Sequence, residues 1–169
     1  MRRLVPVLLL LAACSHAASG APGPDSTSPG ALAVNATLVS VVDGDTIVAR
    51  VNGNKERIRL IGIDTPETKK PNTPVQCFGP EASKFTTRLL PPGTALHLER
   101  DVEARDKYDR LLAYVYRADD GLFVNLHIVR QGYARLLTFP PNVAHVDEFV
   151  AASRAAEQDD IGLWAGCTG

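Results

Sequence analysis

The stretch VNATLVSVVDGDTIVARVNGNKERIRLIGI, residues 34–63, decides the fold. Val34 to Val42 and Thr46 to Val51 are rich in β-branched residues, which suit a pleated, half-buried surface. Asn52-Gly53 follows, and that dipeptide favours the positive backbone angles of a tight hairpin turn. Arg57 to Ile63 then supplies the partner strand, so the segment reads as a three-strand meander.

Working downstream, a loop containing Pro and Lys runs from Thr68 to Pro74. Gly79-Pro80-Glu81 opens a helix through Leu90, with Ala82, Phe85 and Leu89 at helical spacing and Pro91-Pro92-Gly93 as its stop. Two further strands are expected near Ala95 to Val102 and Leu111 to Tyr116, where Ala95, Leu96 and Leu98 form core or barrel wall. Asp119-Asp120-Gly121 is a turn. Val124 to Gln131 reads as a helix ended by Gly132, and Val143 to Gln158 as a longer one. Five strands, mostly sequential and antiparallel, with about three helices beside them, fit a small closed or nearly closed β-barrel. Trp164 is expected to be a packing anchor near the chain end.

Upstream, the character changes. Met1-Arg2-Arg3 is a positive start, Leu4 to Leu11 a short apolar run, and Leu11-Ala12-Ala13-Cys14 follows. The run is too short to span a bilayer and reads as an export signal. Leu-Ala-Ala-Cys resembles the lipobox of bacterial lipoproteins, which implies lipidation of Cys14; an ordinary signal peptide cut after Ala17 is the alternative. Ser15 to Gly30 is dominated by Ser, Ala, Gly and Pro and is expected to be a tether with a reach of roughly 20 to 30 Å. The expected organisation is therefore a signal over 1–14, a tether over 15–31 and one domain over 32–169. With 169 residues, 45% hydrophobic and 22% charged, the chain has the balance of one such domain.

Three cysteines are present, and removing Cys14 leaves Cys77 and Cys167, an even pair in an oxidising compartment, expected to form a disulfide. Two free buried thiols are the alternative. Neither cysteines nor His97, His127 and His145 show metal-ligand spacing, which argues against zinc. The histidines read as structural or surface residues. The formal net charge is −1, and loss of Arg2 and Arg3 takes it to about −3. A protein of that balance does not wrap nucleic acid through bulk positive charge, so any phosphate recognition is local.

Polar residues concentrate at the ends of apolar strands in three places: Val42-Asp43-Gly44-Asp45-Thr46, Arg59 through Asp64-Thr65-Pro66-Glu67, and Asp106-Lys107-Tyr108-Asp109-Arg110. Singly, each is weak: Asp-Gly-Asp is more often a turn than a metal site, Asp-Thr-Pro-Glu suits the start of a turn or helix, and Lys-Tyr-Asp-Arg a solvated hairpin end. In this order and spacing, together with the Gly-Pro-Glu-Ala helix start and the Val-Asn…Val-Arg-Gln-Gly helix, they resemble the staphylococcal nuclease (thermonuclease) family from Val39 to Trp164.

The resemblance implies an OB-type barrel and a calcium-dependent nuclease that hydrolyses DNA and RNA, prefers single-stranded or frayed regions and leaves 3′-phosphate ends. Asp45 and Asp64 match carboxylate ligands of Ca2+ and Thr65 a backbone carbonyl ligand, all hard oxygens suited to that cation. Glu67 matches the proposed general base, and Arg59 and Arg110 the two arginines whose planar forks suit a phosphodiester. Lys107 and Tyr108 match residues contacting a neighbouring phosphate, and Lys69 and Lys70 lie in the loop flanking the site; a solvated loop is the other reading of those lysines.

Two departures stand out. Asp109 replaces a glycine of the best-known member and adds negative charge beside Arg110. The Leu136 to Pro141 segment lacks that member's base-stacking tyrosines, leaving Phe139 as the aromatic available for stacking. The competing readings are a non-catalytic OB module that binds nucleic acid, or a structural envelope protein attached through Cys14. The expected partners are nucleic acids alone, with a membrane reached only through a lipid and the chain a monomer.

Overall fold

The hairpin at Asn52-Gly53 forms as its sequence demands: β1 (Ala36–Asp43) pairs antiparallel with β2 (Thr46–Val51), and β2 with β3 (Asn54–Leu60), Thr46 facing Arg59 and Val51 facing Asn54. The computed structural model describes residues 30–68 and 74–167. Expectations that fall on Cys14, the signal, the tether before Gly30, and Lys69 and Lys70 lie outside the described residues.

β5 (Ala95–Glu99) pairs with β1 and with β6 (Leu111–Arg117), and β6 pairs with β3, closing a five-stranded barrel in the order β1-β2-β3-β6-β5. This is the OB-type barrel expected. The closing β3–β6 pair is parallel, with Ile58 against Leu111 and Leu60 against Ala113. Alternation sends Leu38, Ile47, Ala49, Ile58, Leu60 and Leu96 inward, all at most 2% exposed. Burying one such aliphatic side chain is worth about 1.5 to 3 kcal/mol.

The third strand starts and ends three residues earlier than the sequence suggested, stopping at Leu60. The backbone turns at Ile61 and Gly62, and Gly62–Asp64 becomes a separate strand, β4, paired antiparallel with β7 (Arg135–Leu137). Gly62 has φ of 83°, and a Cβ there would lie 2.3 Å from the Phe149 ring, so glycine satisfies both the turn and the packing. Asn125, fully buried, secures the corner: its side chain accepts from Val115 N at 3.0 Å and donates to the carbonyl of Ile61 at 2.9 Å.

Among the described residues, four helices lie outside the barrel. They are α1 (Gly79–Leu89), α2 (Val124–Arg130), α3 (Val146–Gln158) and a single turn, α4 (Leu163–Gly166), which sequence reasoning did not separate. The anchor of the last turn is Leu163, 1% exposed, rather than Trp164, which is half-buried beneath the Arg135 guanidinium. Cys77, just before α1, is disulfide-bonded to Cys167, with the two Cα atoms 5.9 Å apart.

Candidate active site

The turn between β1 and β2 presents Asp43 and Asp45. A register shift between Val41 and Asp43 bends β1 just before it. Asp45 is 7% exposed. Its Oδ1 accepts from the Thr46 hydroxyl at 3.0 Å, and its Oδ2 accepts from Thr65 N at 2.8 Å and Thr65 Oγ1 at 3.0 Å. Gly44 is required by this approach, because a Cβ there would lie 2.7 Å from Thr65 Oγ1. Thr86 on α1 holds the turn from behind, donating to the Gly44 carbonyl at 2.7 Å.

Arg59, at the end of β3, joins this turn to β4. Nη1 donates to the carbonyls of Leu60 and Ile63, at 3.0 and 2.7 Å; Nη2 donates to Asp64 Oδ1 at 2.8 Å and lies 3.2 Å from Asp45 Oδ2. The carboxyl pKa of Asp64 is raised: the cleft walls limit its hydration, Arg59 opposes this, and Asp45 and Glu67 add repulsion.

Glu67 is fixed through its backbone by Gln76, whose side-chain oxygen accepts from Glu67 N at 2.9 Å and whose own N donates to Glu67 O at 3.0 Å. Asp43 is hydrogen-bonded to the Glu67 side chain and accepts from Gly44 N and the Thr68 hydroxyl, each at 2.9 Å. Burial, then the Glu67 contact, pushes the Asp43 carboxyl pKa up. Neither Asp43 nor Gln76 was assigned to the site from sequence. For Asp43 the available signal was the second carboxylate of the Asp-Gly-Asp turn; Gln76 is distant in sequence and carried none.

The third segment precedes β6. Arg110 Nε donates to Asp106 Oδ2 at 2.7 Å, Nη2 stands 2.6 Å from the same oxygen, and the guanidinium lies 5.4 Å from the Tyr108 ring centroid. Burial works against the Asp106 charge, but hydrogen bonds from Arg110 and Tyr108 outweigh it and hold its pKa low. Asp109 has φ of 62°, the left-handed conformation that favours glycine and that aspartate tolerates better than most residues. Its charge is turned toward Arg105, 3.6 Å away, and its carbonyl accepts from Arg105 Nη1 at 2.8 Å. Arg105 also grips Glu56 of β3 with both terminal nitrogens, at 3.0 and 3.1 Å. Asp109 is thus balanced by a residue that sequence reasoning overlooked.

A cleft of about 1150 Å³ brings these segments together: Asp43, Asp45, Arg59, Asp64, Thr65, Glu67, Lys107, Tyr108, Arg110 and Phe139 all line it. Tyr108 and Phe139 stand on it 69% and 72% exposed. The Phe139 loop is held by Asn142, whose side chain exchanges hydrogen bonds with the Glu103 backbone at 2.8 and 3.1 Å.

The donor set fits a hard cation in part. Asp45, Asp64 and the Thr65 backbone offer only oxygen, and the repulsion felt by Asp64 is what a cation would relieve. Among the described residues no three Asp, Glu, His or Cys side chains form a complete cage. An ion held here would take the rest of its coordination from water and phosphate.

Comparison with known proteins agrees with this architecture. Residues 57–166 match the family described as staphylococcal nuclease homologue. The chain is 44% identical over 124 residues to the thermonuclease of Staphylococcus intermedius, covering 73% of this chain and 72% of that one. It is 43% identical over 134 residues to endonuclease YncB of Bacillus subtilis, covering 78% of this chain and 62% of that one. The thermonuclease of Staphylococcus hyicus is 38% identical over 128 residues, covering 76% and 74%. A barrel closed in this order, carrying acids and arginines on one cleft, and matched over most of its length by these relatives, belongs to the staphylococcal nuclease family.

Proposed function

We propose that this member of the staphylococcal nuclease family, an endonuclease hydrolysing phosphodiester bonds, uses calcium to cleave DNA and RNA and leaves the phosphate on the 3′ side. The observation that carries the reading is the convergence of Asp45, Asp64, Thr65, Glu67, Arg59 and Arg110 on one cleft. Asp45 and Asp64, with the Thr65 carbonyl, would hold the ion. When bound, the ion supplies Lewis-acid stabilisation to the phosphoryl oxygens.

The rest falls to the chain. Glu67 takes a proton from the attacking water, held in position through Gln76 and Asp43. The water oxygen bonds to phosphorus as the bond to the 5′ oxygen breaks, and the departing 5′ oxygen takes a proton from solvent to leave as a hydroxyl. Arg59 and Arg110 meet the charge that grows on the equatorial oxygens, and both are pre-oriented by carboxylates. Lys107 and Tyr108 would contact a neighbouring phosphate, and Phe139 offers a ring on which a base can stack. Lys69 and Lys70 are assigned to the same cationic rim on sequence alone. Single-stranded substrate is favoured because a base must leave its partner to stack.

We extend the proposal to location. The Leu-Ala-Ala-Cys sequence ending at Cys14 supports export with lipid attachment, or secretion if Cys14 is unmodified, and a Cys77–Cys167 disulfide suits an oxidising compartment. The chain would act as a monomer. The test is digestion of single-stranded DNA and RNA with calcium, then with excess chelator, followed by end-group analysis. Calcium-dependent cleavage with 3′-phosphate ends is the expected result; tight DNA binding without cleavage in either condition would make the chain a binding module.

A further inference from the structure

Beyond the catalytic Arg59, the outer face of β3 carries two further cations that the catalytic cluster does not use. Residues 55, 57 and 59 alternate with the inward Ile58 and Leu60, so Lys55, Arg57 and Arg59 share one face of the strand. Successive members are about 6.6 Å apart along the strand. Arg59 is occupied by Asp45 and Asp64, but Arg57 and Lys55 are exposed, and among the described residues no carboxylate forms an ion pair with either. Arg57 lines the same cleft as Arg59. The parallel register, in which Ile58 faces Leu111, places Arg110 opposite Arg57, so the row begins beside both catalytic arginines.

The nearby acids do not cancel it. Glu56 lies on the same strand but is gripped by Arg105 through two hydrogen bonds, and Asp109 is turned toward that same guanidinium. A chain with net charge −1 that keeps two unpaired cations in line with its cleft has built a local positive track. We propose that Arg57 and Lys55 form an extension of the substrate site, holding the phosphates of a single-stranded polynucleotide as it runs from the cleft along β3 toward the Asn52-Gly53 turn. This rests on the nuclease reading. The repeat of the strand is commensurate with an extended phosphodiester chain, and strand-tracking cations are how single-stranded nucleic acid is held without regard to sequence.

The experiment compares the full chain with the double variant Lys55→Gln, Arg57→Gln, both residues being exposed and outside the barrel interior. Binding of a fluorescent oligothymidylate long enough to cover the track is followed by anisotropy across a salt series with chelator present, where cleavage is suppressed. The slope of log affinity against log salt should fall by about 1.4 in the variant, about 0.7 for each phosphate that is no longer neutralised. Hydrolysis of a thymidine dinucleotide, too short to leave the cleft, should be unchanged. An unchanged salt slope overturns the track. Failure of the unaltered chain to cleave the dinucleotide or any longer strand overturns the nuclease reading instead, and the binding slopes still decide the track. An equal loss of dinucleotide cleavage in the variant would place Arg57 in the catalytic cluster and also overturn the proposal.

Discussion

Replacing Cys77 and Cys167 together by serine should lower the stability of the domain by about 4 to 5 kcal/mol, the loop-closure entropy of a cross-link spanning 90 residues in sequence. The bond joins the segment ahead of α1 to the end of the α4 turn, so its loss frees the C-terminal segment from the side of the barrel. With an unfolding entropy near 2.1 cal/mol/K per residue, a domain of this size has about 0.3 kcal/mol/K in total, which converts the loss into a fall in Tm of about 15 °C. Scanning calorimetry of the two proteins, or of the parent with and without reductant, reads the shift directly. A fall below about 3 °C would refute the reasoning, because it would mean that the unfolded chain gains little freedom when the loop opens.

Further outcomes follow from other contacts. Gly62→Ala must place a methyl group against the Phe149 ring at a positive φ, and should cost about 2 to 4 kcal/mol, read as a lower urea midpoint. Arg105→Ala leaves the Asp109 carboxylate uncompensated beside Arg110, so KM for single-stranded DNA should rise several-fold; adding Asp109→Gly should restore part of the loss, which a merely structural role for Arg105 would not allow. Burial opposes the charge of Asp101, but hydrogen bonds from Ala144 N and the Tyr114 hydroxyl prevail and lower its pKa. The unfolded state therefore takes up that proton first, and the contribution is present above the ordinary carboxylate pKa and lost as pH falls through the lowered one. Urea midpoints measured down an acid series should drop less steeply in Asp101→Asn than in the parent.

The barrel was legible because its signals are local. Runs of β-branched residues marked β1 and β2, and Asn52-Gly53 fixed the turn between β2 and β3. What was hidden depended on distant partners. The break after Leu60 follows from Phe149 packing against Gly62 and from the pairing of Gly62–Asp64 with Arg135–Leu137, none of which is written in residues 57–63. The parallel β3–β6 pair joins segments some 50 residues apart, and no turn chemistry announces such a contact.

At the site, charged groups at the ends of apolar strands marked three segments, and the resemblance to the staphylococcal nuclease family picked Asp45, Arg59, Asp64, Glu67 and Arg110 out of them; the fold gathers all five on one cleft. Asp43, noted in the Asp-Gly-Asp turn, was given no role because only Asp45 of that turn matched a family ligand. Arg105 escaped because its value lies in two acids it neutralises, one of them on another strand.

The most direct test of the account is Glu67→Gln, which removes the proposed base while keeping the size of the side chain and leaving the backbone hydrogen bonds to Gln76 available. The account predicts a fall in kcat of about 10² to 10⁴-fold on single-stranded DNA in calcium, with KM and Tm little changed. A variant that cleaves at the parent's rate, or one that loses activity only because it unfolds, would contradict the assignment of Glu67 to catalysis.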